Sequence, residues 1–263
     1  MNKIVREHLR FNIDIVSHCN LNCKGCGHFS PLSKENFISL ESLRNDCKRL
    51  SELSNGKVER IDIMGGEPLL HPDIIEILCI CRDYFIGEIN VCTNGLLLPS
   101  MSDKFYSTCA SKDINIAVTI YPIKLDWEAI DKKAAFNHAT IKKIGTKGYD
   151  HRLWYKNKRD LTGSQDKDQN FEICPWGNNC IILEEGHMST CVMPLKSRSY
   201  NEYYQKEVFK VSPQDYIDIY QVKSLEELMQ FFSHSIPFCR YCLPNNSELI
   251  EWGVSSKDID EWS

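Results

Sequence analysis

The sequence has little that would direct the protein to a membrane, to nucleic acid or out of the cell. Its apolar stretches, such as Ile74–Ile80, are far shorter than the ~20 residues that a membrane-spanning helix requires. No Lys/Arg-rich run is present and the formal net charge is −5, so no polyanion-binding patch is indicated. The N-terminus is charged and lacks the apolar core of a signal peptide. We therefore expect a cytoplasmic protein with no nucleic-acid partner and no membrane partner.

Cysteine, in contrast, is abundant, with 13 residues in a chain of 263. An odd, high count without an export signal argues against a disulfide framework, because the cytosol keeps thiols reduced. Cytosolic cysteines that lie at short spacings more often bind metal. The positions of the cysteines relative to the predicted elements therefore matter.

The first half of the chain alternates strand-like and helix-like segments. Strands are predicted over Phe11–Val16, Val58–Met64, Glu88–Cys92 and Ile114–Ile120. Helices are predicted over Leu40–Leu53, with Ser39 as N-cap, Pro72–Tyr84 and Asp103–Lys112. This alternation predicts a parallel sheet, open or rolled into a barrel, with functional residues at the carboxyl ends of its strands.

The second half begins with a polar, loop-rich stretch over residues 146–171. A hairpin is predicted beyond it, with strands over Asn179–Leu183 and His187–Cys191. A helix over Ser224–Phe232 begins with a capping box formed by Ser224 and Glu227. We have no functional interpretation of the acidic tail, residues 245–263.

A CxxxCxxC triplet formed by Cys19, Cys23 and Cys26 follows the first predicted strand. Three thiolates on one short loop can hold three corners of a [4Fe–4S] cluster and leave one iron open for a small molecule. The alternatives are a zinc site completed by His28, or three incidental thiols.

This triplet, followed by a Gly-Gly-Glu-Pro segment after the second strand, resembles the radical S-adenosylmethionine (SAM) superfamily. The resemblance implies that the three cysteines bind a [4Fe–4S] cluster whose open iron chelates SAM. It implies SAM-binding roles for Gly65, Gly66, Glu67 and Pro68, which supply close backbone approach and a carboxylate for the methionine ammonium.

Four further residues are expected to contact SAM on the same resemblance. Thr93 and Asn94 stand in the turn after the third strand, and Thr119 ends the fourth strand, where a polar ribose contact often occurs. The residue before the third cysteine, usually aromatic in this family, is Gly25 here. We expect Phe29 to fill the space beside the adenine instead.

A second group of cysteines follows the predicted barrel. A CxxC pair and two distant cysteines can form a four-thiolate site for zinc or for a second cluster. The arrangement resembles the twitch appendage, a short form of the SPASM domain, which implies an auxiliary [4Fe–4S] cluster on Cys174, Cys191, Cys239 and Cys242. A zinc ribbon is the alternative. Cys180, inside the first hairpin strand, is left over, and buried structural roles are predicted for Cys47, Cys79, Cys81, Cys92 and Cys109.

The resemblance implies the fold class α/β, with a partial (β/α)6 barrel and a small C-terminal appendage built from a β-hairpin and a helix. We divide the chain into a barrel over residues 1–150, a connector over residues 151–172, and an auxiliary-cluster domain with the tail over residues 173–263.

The resemblance extends to the aminocyclitol (2-deoxy-scyllo-inosamine) dehydrogenase type of radical SAM enzyme. It implies hydrogen abstraction from a carbinol carbon of a sugar or cyclitol, giving a ketone or an epimer, with a flavodoxin- or ferredoxin-type electron donor. Candidate catalytic residues are His151, Arg152 and Tyr155 for proton transfer and Cys180 as a hydrogen-atom donor. Their alternative is an ordinary solvated loop and a spare thiol.

Three other functions stay open. A peptide-modifying radical SAM enzyme is disfavoured because the first strand begins within about ten residues, which leaves no room for a leader-binding module. A glycyl-radical activating enzyme is disfavoured because the auxiliary cysteines follow the barrel. A non-catalytic zinc-binding protein would contain no iron.

Overall fold

One eight-stranded sheet dominates the computed structural model, which describes residues 8–145, 152–177 and 179–263. Its first five strands are β1 (Leu9–Val16), β2 (Val58–Gly65), β3 (Glu88–Thr93), β4 (Ile114–Thr119) and β5 (Ile141–Ile144). They are all parallel, and each pairs with the next one along the chain. The crossovers carry helices α1 (Leu40–Ser54), α2 (Ile74–Tyr84), α3 (Asp103–Ser111) and α4 (Trp127–Phe136).

The second half of the chain extends the same sheet at the β1 edge. Its elements are β6 (Leu153–Lys156), α5 (Lys167–Ile173), β7 (Ile182–Glu184), β8 (His187–Ser189), α6 (Met193–Tyr204), β9 (Ile217–Asp218), α7 (Leu225–Phe232) and β10 (Glu248–Glu251). Strand β7 pairs in parallel with β1, and β8 and β9 follow in antiparallel order. Strands β6 and β10 form a separate antiparallel pair.

The α/β class with a parallel-rich sheet is confirmed, and it is consistent with a partial barrel. Its sixth parallel strand is β7, which is also the first strand of the predicted hairpin. The hairpin is therefore built onto the barrel sheet through β1. The division into three sequence ranges stays a prediction.

The parallel strands bury one face completely against the helices. On β2, Ile61 and Ile63 are fully buried, whereas Arg60, Asp62 and Met64 alternate with them on the other face. This period of two is the signature of a strand whose faces meet different surroundings. A second apolar cluster lies around Tyr200, Phe209, Phe238 and Trp262.

Most predicted boundaries lie within two residues of the observed ones. The Ser39 hydroxyl accepts the Ser42 N–H at 3.1 Å and caps α1, and Ser224 accepts the Glu227 N–H at 3.2 Å at the start of α7. Helix α2 begins at Ile74, two residues after the predicted start at Pro72. No helix in the described ranges is both long and apolar enough to cross a bilayer.

Candidate active site

A cavity of about 240 Å³ opens at the carboxyl ends of β2, β3 and β4. The sequence-predicted residues that line it are Cys19, Cys23, Cys26, Gly65, Gly66, Glu67, Thr93, Asn94 and Thr119. The fold therefore brings together the CxxxCxxC loop and the turns after the next two strands. We call this space the first cavity.

The three thiols of the loop share the burial of this cavity. Burial raises the pKa of Cys23 to about 12, and it also raises the pKa of Cys19 and of Cys26. The neighbouring thiols oppose ionisation of Cys23 further, because like charges lie close together. Three buried thiols ionise more readily when a bound cationic group compensates the thiolate charges, so this cavity favours such a group.

This donor set fits a [4Fe–4S] cluster. Three cysteines border one cavity, and soft thiolate ligands are those that iron–sulfur clusters require. Within the described ranges, no three Cys, His, Asp or Glu side chains close around a position for one metal ion. In a cubane cluster each cysteine binds its own iron, so thiols spread around a cavity are compatible with it.

The two glycines after β2 are required by packing against the cluster-bearing loop. A Cβ on Gly65 would lie 2.3 Å from the Val16 carbonyl oxygen, and one on Gly66 would lie 1.9 Å from the His18 carbonyl oxygen. The Gly66 N–H also donates to Val16 O at 2.6 Å. Close approach between two backbones, which no other residue permits, accounts for both glycines.

The Glu67 carboxylate is turned into the protein and is only 1% exposed. It accepts hydrogen bonds from the Thr93 hydroxyl at 2.7 Å, the Asn94 N–H at 2.9 Å and the Leu69 N–H at 3.1 Å. Burial raises the pKa of Glu67, and these donors counteract the rise. Glu67 thus ties the β2 turn to the β3 turn, and Pro68 begins a short 3-10 helix beside it.

Asn94 connects the β3 turn to the cysteine loop. Its Nδ2 donates to Asn20 Oδ1 at 2.8 Å and lies 3.7 Å from Cys19 Sγ. Thr119 borders the first cavity at the end of β4, as its predicted position requires. Both side chains are placed where a ligand of this cavity would contact them.

Phe29 is not among the residues that line the first cavity, contrary to the expectation from its position in the sequence. Its ring is fully buried and packs against Tyr200, Phe209 and Trp262, at centroid distances of 5.4–6.0 Å. The reason is the backbone at Phe29, which has a left-handed φ of 52° and directs the ring into the second apolar cluster. An adenine contact for Phe29 is therefore wrong.

Cys92 and Tyr121 are among the residues of the first cavity that sequence reasoning missed. Cys92 lines it, although a buried structural role is predicted for that thiol, because on β3 it alternates with the helix-facing residues. Tyr121, just beyond β4, also lines it. The period of two along β3 was the signal for Cys92.

His28 joins the first cavity to a buried charge cluster. Its Nδ1 lies 3.1 Å from Asp14 Oδ2, and the same oxygen lies 3.1 Å from Lys196 Nζ. Lys196 also contacts Glu184 Oε1 at 2.5 Å. Burial would raise the pKa of Asp14, but the Lys196 and His28 charges outweigh it and lower that pKa to about 2.

A second cavity of about 320 Å³ contains three of the four predicted auxiliary ligands, Cys174, Cys191 and Cys242. Cys239 stands one turn before Cys242, whose N–H donates to Cys239 O at 3.1 Å. Burial raises the pKa of Cys191, and the nearby Cys242, Cys239 and Cys174 thiols raise it further. The four thiols therefore lie within electrostatic reach of one another, and the set fits a four-thiolate cluster, in which each cysteine binds its own iron. Gly27 lines both cavities.

The four residues predicted to be catalytic, Cys180, His151, Arg152 and Tyr155, are not brought together at the first cavity among the residues that the structure describes. Cys180 precedes β7 rather than standing inside a strand, and it lines the second cavity, where burial raises its pKa to about 11. Arg152 is exposed, and its carbonyl oxygen accepts the backbone N–H of Trp252 at 2.7 Å. His151 lies outside the described residues. Tyr155 pairs with Leu249 through its backbone, and its side chain lies outside the description.

Comparison with known proteins bears on the first half of the chain. Residues 13–119 match the family model of the Radical SAM superfamily. Over 97 residues, 37% of this chain, the sequence is 32% identical to the probable GTP 3',8-cyclase of Methanothermobacter marburgensis. Over 105 residues it is 34% identical to the probable GTP 3',8-cyclase of Methanocaldococcus jannaschii. The matched segments span only about a third of those two relatives, 31% and 34%.

The fold comparison covers the whole chain. The crystal structure of BtrN in complex with AdoMet and 2-DOIA superposes with a TM-score of 0.55 at 16% sequence identity. The superposition includes 100% of this chain and 99% of that one. At 16% sequence identity this likeness shows a shared fold and not a shared activity, and the shared fold includes the part of the chain after the barrel.

Proposed function

We propose, on the premise that residues 13–119 form a domain of the Radical SAM superfamily, that the chain oxidises a secondary alcohol of a sugar or cyclitol. The observation that carries the proposal is the pairing of two thiol-lined cavities, with three predicted ligands in the first and four around the second. The first suits a cluster with an open iron, and the second suits a cluster that only transfers electrons.

In the first cavity, the bound cluster and SAM would supply a 5′-deoxyadenosyl radical that abstracts a hydrogen atom from the substrate. Cys19, Cys23 and Cys26 would hold three irons of the cluster. The backbone at Gly65 and Gly66 borders the same space, where carbonyl oxygens can accept from an ammonium group. Because the Glu67 carboxylate is occupied by three donors, we assign it to holding these turns in place.

A row of polar side chains that includes the residues two positions before Met64 on β2 and Cys92 on β3, both of which line this cavity, supports a polyhydroxylated substrate. We define the polar row as four residues that face one another in register across β1 to β4, Asn12, Asp62, Asn90 and Asn115. The Asn90 amide donates to Asp62 Oδ1 at 2.8 Å, and the Asn115 amide donates to Asn90 Oδ1 at 3.0 Å. Carboxamides offer both donors and acceptors, which matches hydroxyl groups.

Charge in the polar row is balanced. Arg60 Nη2 lies 2.8 Å from Asp62 Oδ2, so the carboxylate is paired. The row is therefore better suited to a substrate recognised by its hydroxyl groups than to a phosphorylated one. The cyclitol-bound BtrN structure, which shares the fold, favours the same substrate class.

The second cavity supports oxidation over a redox-neutral reaction. Removing a secondary alcohol's two hydrogens as a hydrogen atom, a proton and an electron gives the ketone. The hydrogen atom would go to the 5′-deoxyadenosyl group, the electron to a cluster on Cys174, Cys191, Cys239 and Cys242, and the proton to a base. His151, Arg152 and Tyr155 stay predictions for that base, and a flavodoxin- or ferredoxin-type protein stays a prediction for the electron donor.

Substrate deuteration tests this proposal. Anaerobically reconstituted protein would be incubated with SAM, dithionite and a panel of inositols and aminocyclitols deuterated at the carbinol carbons. We expect deuterium in 5′-deoxyadenosine and an equal amount of ketone. A variant with Cys19, Cys23 and Cys26 changed to alanine should give neither product.

Two outcomes would contradict the ketone proposal. Deuterium transfer followed by hydrogen return from solvent would indicate epimerisation, with Cys180 as the candidate donor because it lines the second cavity. In that case Cys180→Ala should stop the epimerisation and leave the deuterium transfer in place. 5′-Deoxyadenosine that carries no deuterium with any polyol would exclude this substrate class.

A further inference from the structure

The C-terminal tail folds back onto the loop that carries the first three cysteines. We call residues 19–26 the cluster loop; the part of the tail that reaches it is residues 252–262. The Lys24 N–H donates to Gly253 O and the Ser255 N–H donates to Asn22 O, both at 2.8 Å. Between these bonds, Cys23 and Val254 form an antiparallel bridge. The tail thus pairs with the cluster loop as a short strand would.

Two further contacts fasten the tail. The Trp262 indole donates through Nε1 to the Cys26 carbonyl oxygen at 2.9 Å. Glu261 is buried and accepts the Ser256 N–H at 2.7 Å and a backbone hydrogen bond from Gly25. Because a Cβ on Gly25 would lie 3.0 Å from the Glu261 carbonyl oxygen, the glycine leaves the space that the tail occupies.

The same tail places a hydrogen-bond donor on a cluster ligand. Trp252 Nε1 lies 3.3 Å from Cys23 Sγ and donates its hydrogen to the sulfur. The Trp252 ring lies 6.2 Å from that of Tyr121, which lines the first cavity. Two backbone hydrogen bonds fix the chain at this position, since the Trp252 backbone N–H donates to Arg152 O and the Lys24 N–H donates to Gly253 O.

We propose that Trp252 is a positioning residue that raises the reduction potential of the cluster on Cys19, Cys23 and Cys26. A reduced cluster carries one more negative charge than an oxidised one, so a donor to its thiolate stabilises the reduced form more. Hydrogen bonds to sulfur are among the features that set such potentials. The inference rests on the proposed first cluster, and it assigns a role to a tail that the cysteine pattern leaves without one.

The test is a redox titration of reconstituted full-length protein, followed by EPR at the signal that changes when SAM is added. Trp252→Phe keeps a ring and removes the donor, and we expect a more negative midpoint potential. Trp252→His restores a ring N–H and should return the potential toward that of the wild type. Trp127→Phe, on α4 and outside both cavities, should leave it unchanged.

The outcomes separate this inference from the proposed function. An unchanged potential in Trp252→Phe, with iron content and circular dichroism equal to those of the wild type, would overturn the role of Trp252 alone. If Trp252→Phe loads less iron, the midpoint potential of Trp252→His tests the donor role instead. That role predicts a Trp252→His potential between those of the wild type and Trp252→Phe, and a value equal to that of Trp252→Phe would overturn it. A wild-type chain without any SAM-responsive cluster would overturn the proposed function and this inference with it.

Discussion

Lys196 Nζ lies 3.1 Å from Asp14 Oδ2, and this ion pair links α6 to the central strand β1. Both side chains are buried, and Lys196 Nζ also lies 2.5 Å from Oε1 of Glu184 on β7. The other Asp14 oxygen, Oδ1, has no hydrogen-bond partner among the described residues. Folding of the second half onto the barrel therefore depends on a charge that has been fully removed from water.

Lys196→Met should destabilise the cluster-free protein strongly. Removing the ammonium takes the lysine partner from the buried Asp14 carboxylate, which keeps only His28, and from the partly exposed Glu184. Breaking a buried ion pair costs roughly 3–5 kcal/mol. The free energy of unfolding, measured by urea denaturation, should fall by about that amount. The double variant Asp14→Asn with Lys196→Met should lose less, and an equal or greater loss would contradict the pairing.

Asp14 should also make the free energy of unfolding depend on pH in the acid range. Its pKa is lowered from 3.8 to about 2 in the folded protein, so its stabilising contribution is present above pH 4 and is lost as the pH falls toward 2. The difference in unfolding free energy between the wild type and Asp14→Asn should shrink over that interval. A difference that is constant from pH 5 to pH 2 would show that the charge of Asp14 is not stabilised by folding.

Thr93→Val should loosen the turns that line the first cavity. The change removes the hydroxyl that donates to Glu67 Oε1 at 2.7 Å and accepts the Gly95 N–H at 3.0 Å. Leaving a buried carboxylate oxygen and a buried N–H without this partner costs about 1–3 kcal/mol. Thr93→Ser keeps the hydroxyl and serves as the control in thermal unfolding. A Thr93→Val variant that loses no more stability than Thr93→Ser would contradict the role of the hydroxyl.

Gly25→Ala should separate the tail from the cluster loop. Gly25 has a φ of +64°, where an L-residue costs about 1–2 kcal/mol, and the added Cβ meets Glu261 O at 3.0 Å. Gly27→Ala is the matched control, because no atom lies within 4 Å of a Cβ at that position and its φ is not left-handed. Protease cleavage near residue 253 should increase only in Gly25→Ala. Equal cleavage in both variants would mean that the tail does not depend on Gly25.

The strands and helices of the barrel could be predicted because their signals are local. In the second strand Ile61 and Ile63 alternate with Arg60 and Asp62, and Ser39 and Ser224 stand directly before apolar helical spacing. The sequence predicts the start of α2 two residues too early, because Pro72 fits a first helical turn equally well. The observed 3-10 helix over Pro68–Leu70 and the His71 ring, which accepts the Asp73 N–H, delay the helix to Ile74.

The site was predictable where its residues follow strands, and unpredictable where it depends on distant contacts. The triplet and the glutamate turn lie at strand ends, which parallel pairing brings together. Trp252 and Trp262 reach the cluster loop from more than 200 positions away, and no spacing in the sequence indicates that. Phe29 was misplaced for the same reason, since its packing partners belong to the second half of the chain.

The most direct test of the two-cluster account is anaerobic reconstitution with iron and sulfide, followed by iron counting and EPR. The account predicts about eight irons per chain, and about four in each of two variants. One variant changes Cys19, Cys23 and Cys26 to alanine, and the other changes Cys174, Cys191, Cys239 and Cys242. A wild type with about four irons and a zinc ion would remove the electron acceptor on which oxidation depends. A wild type that binds no iron would contradict the account as a whole.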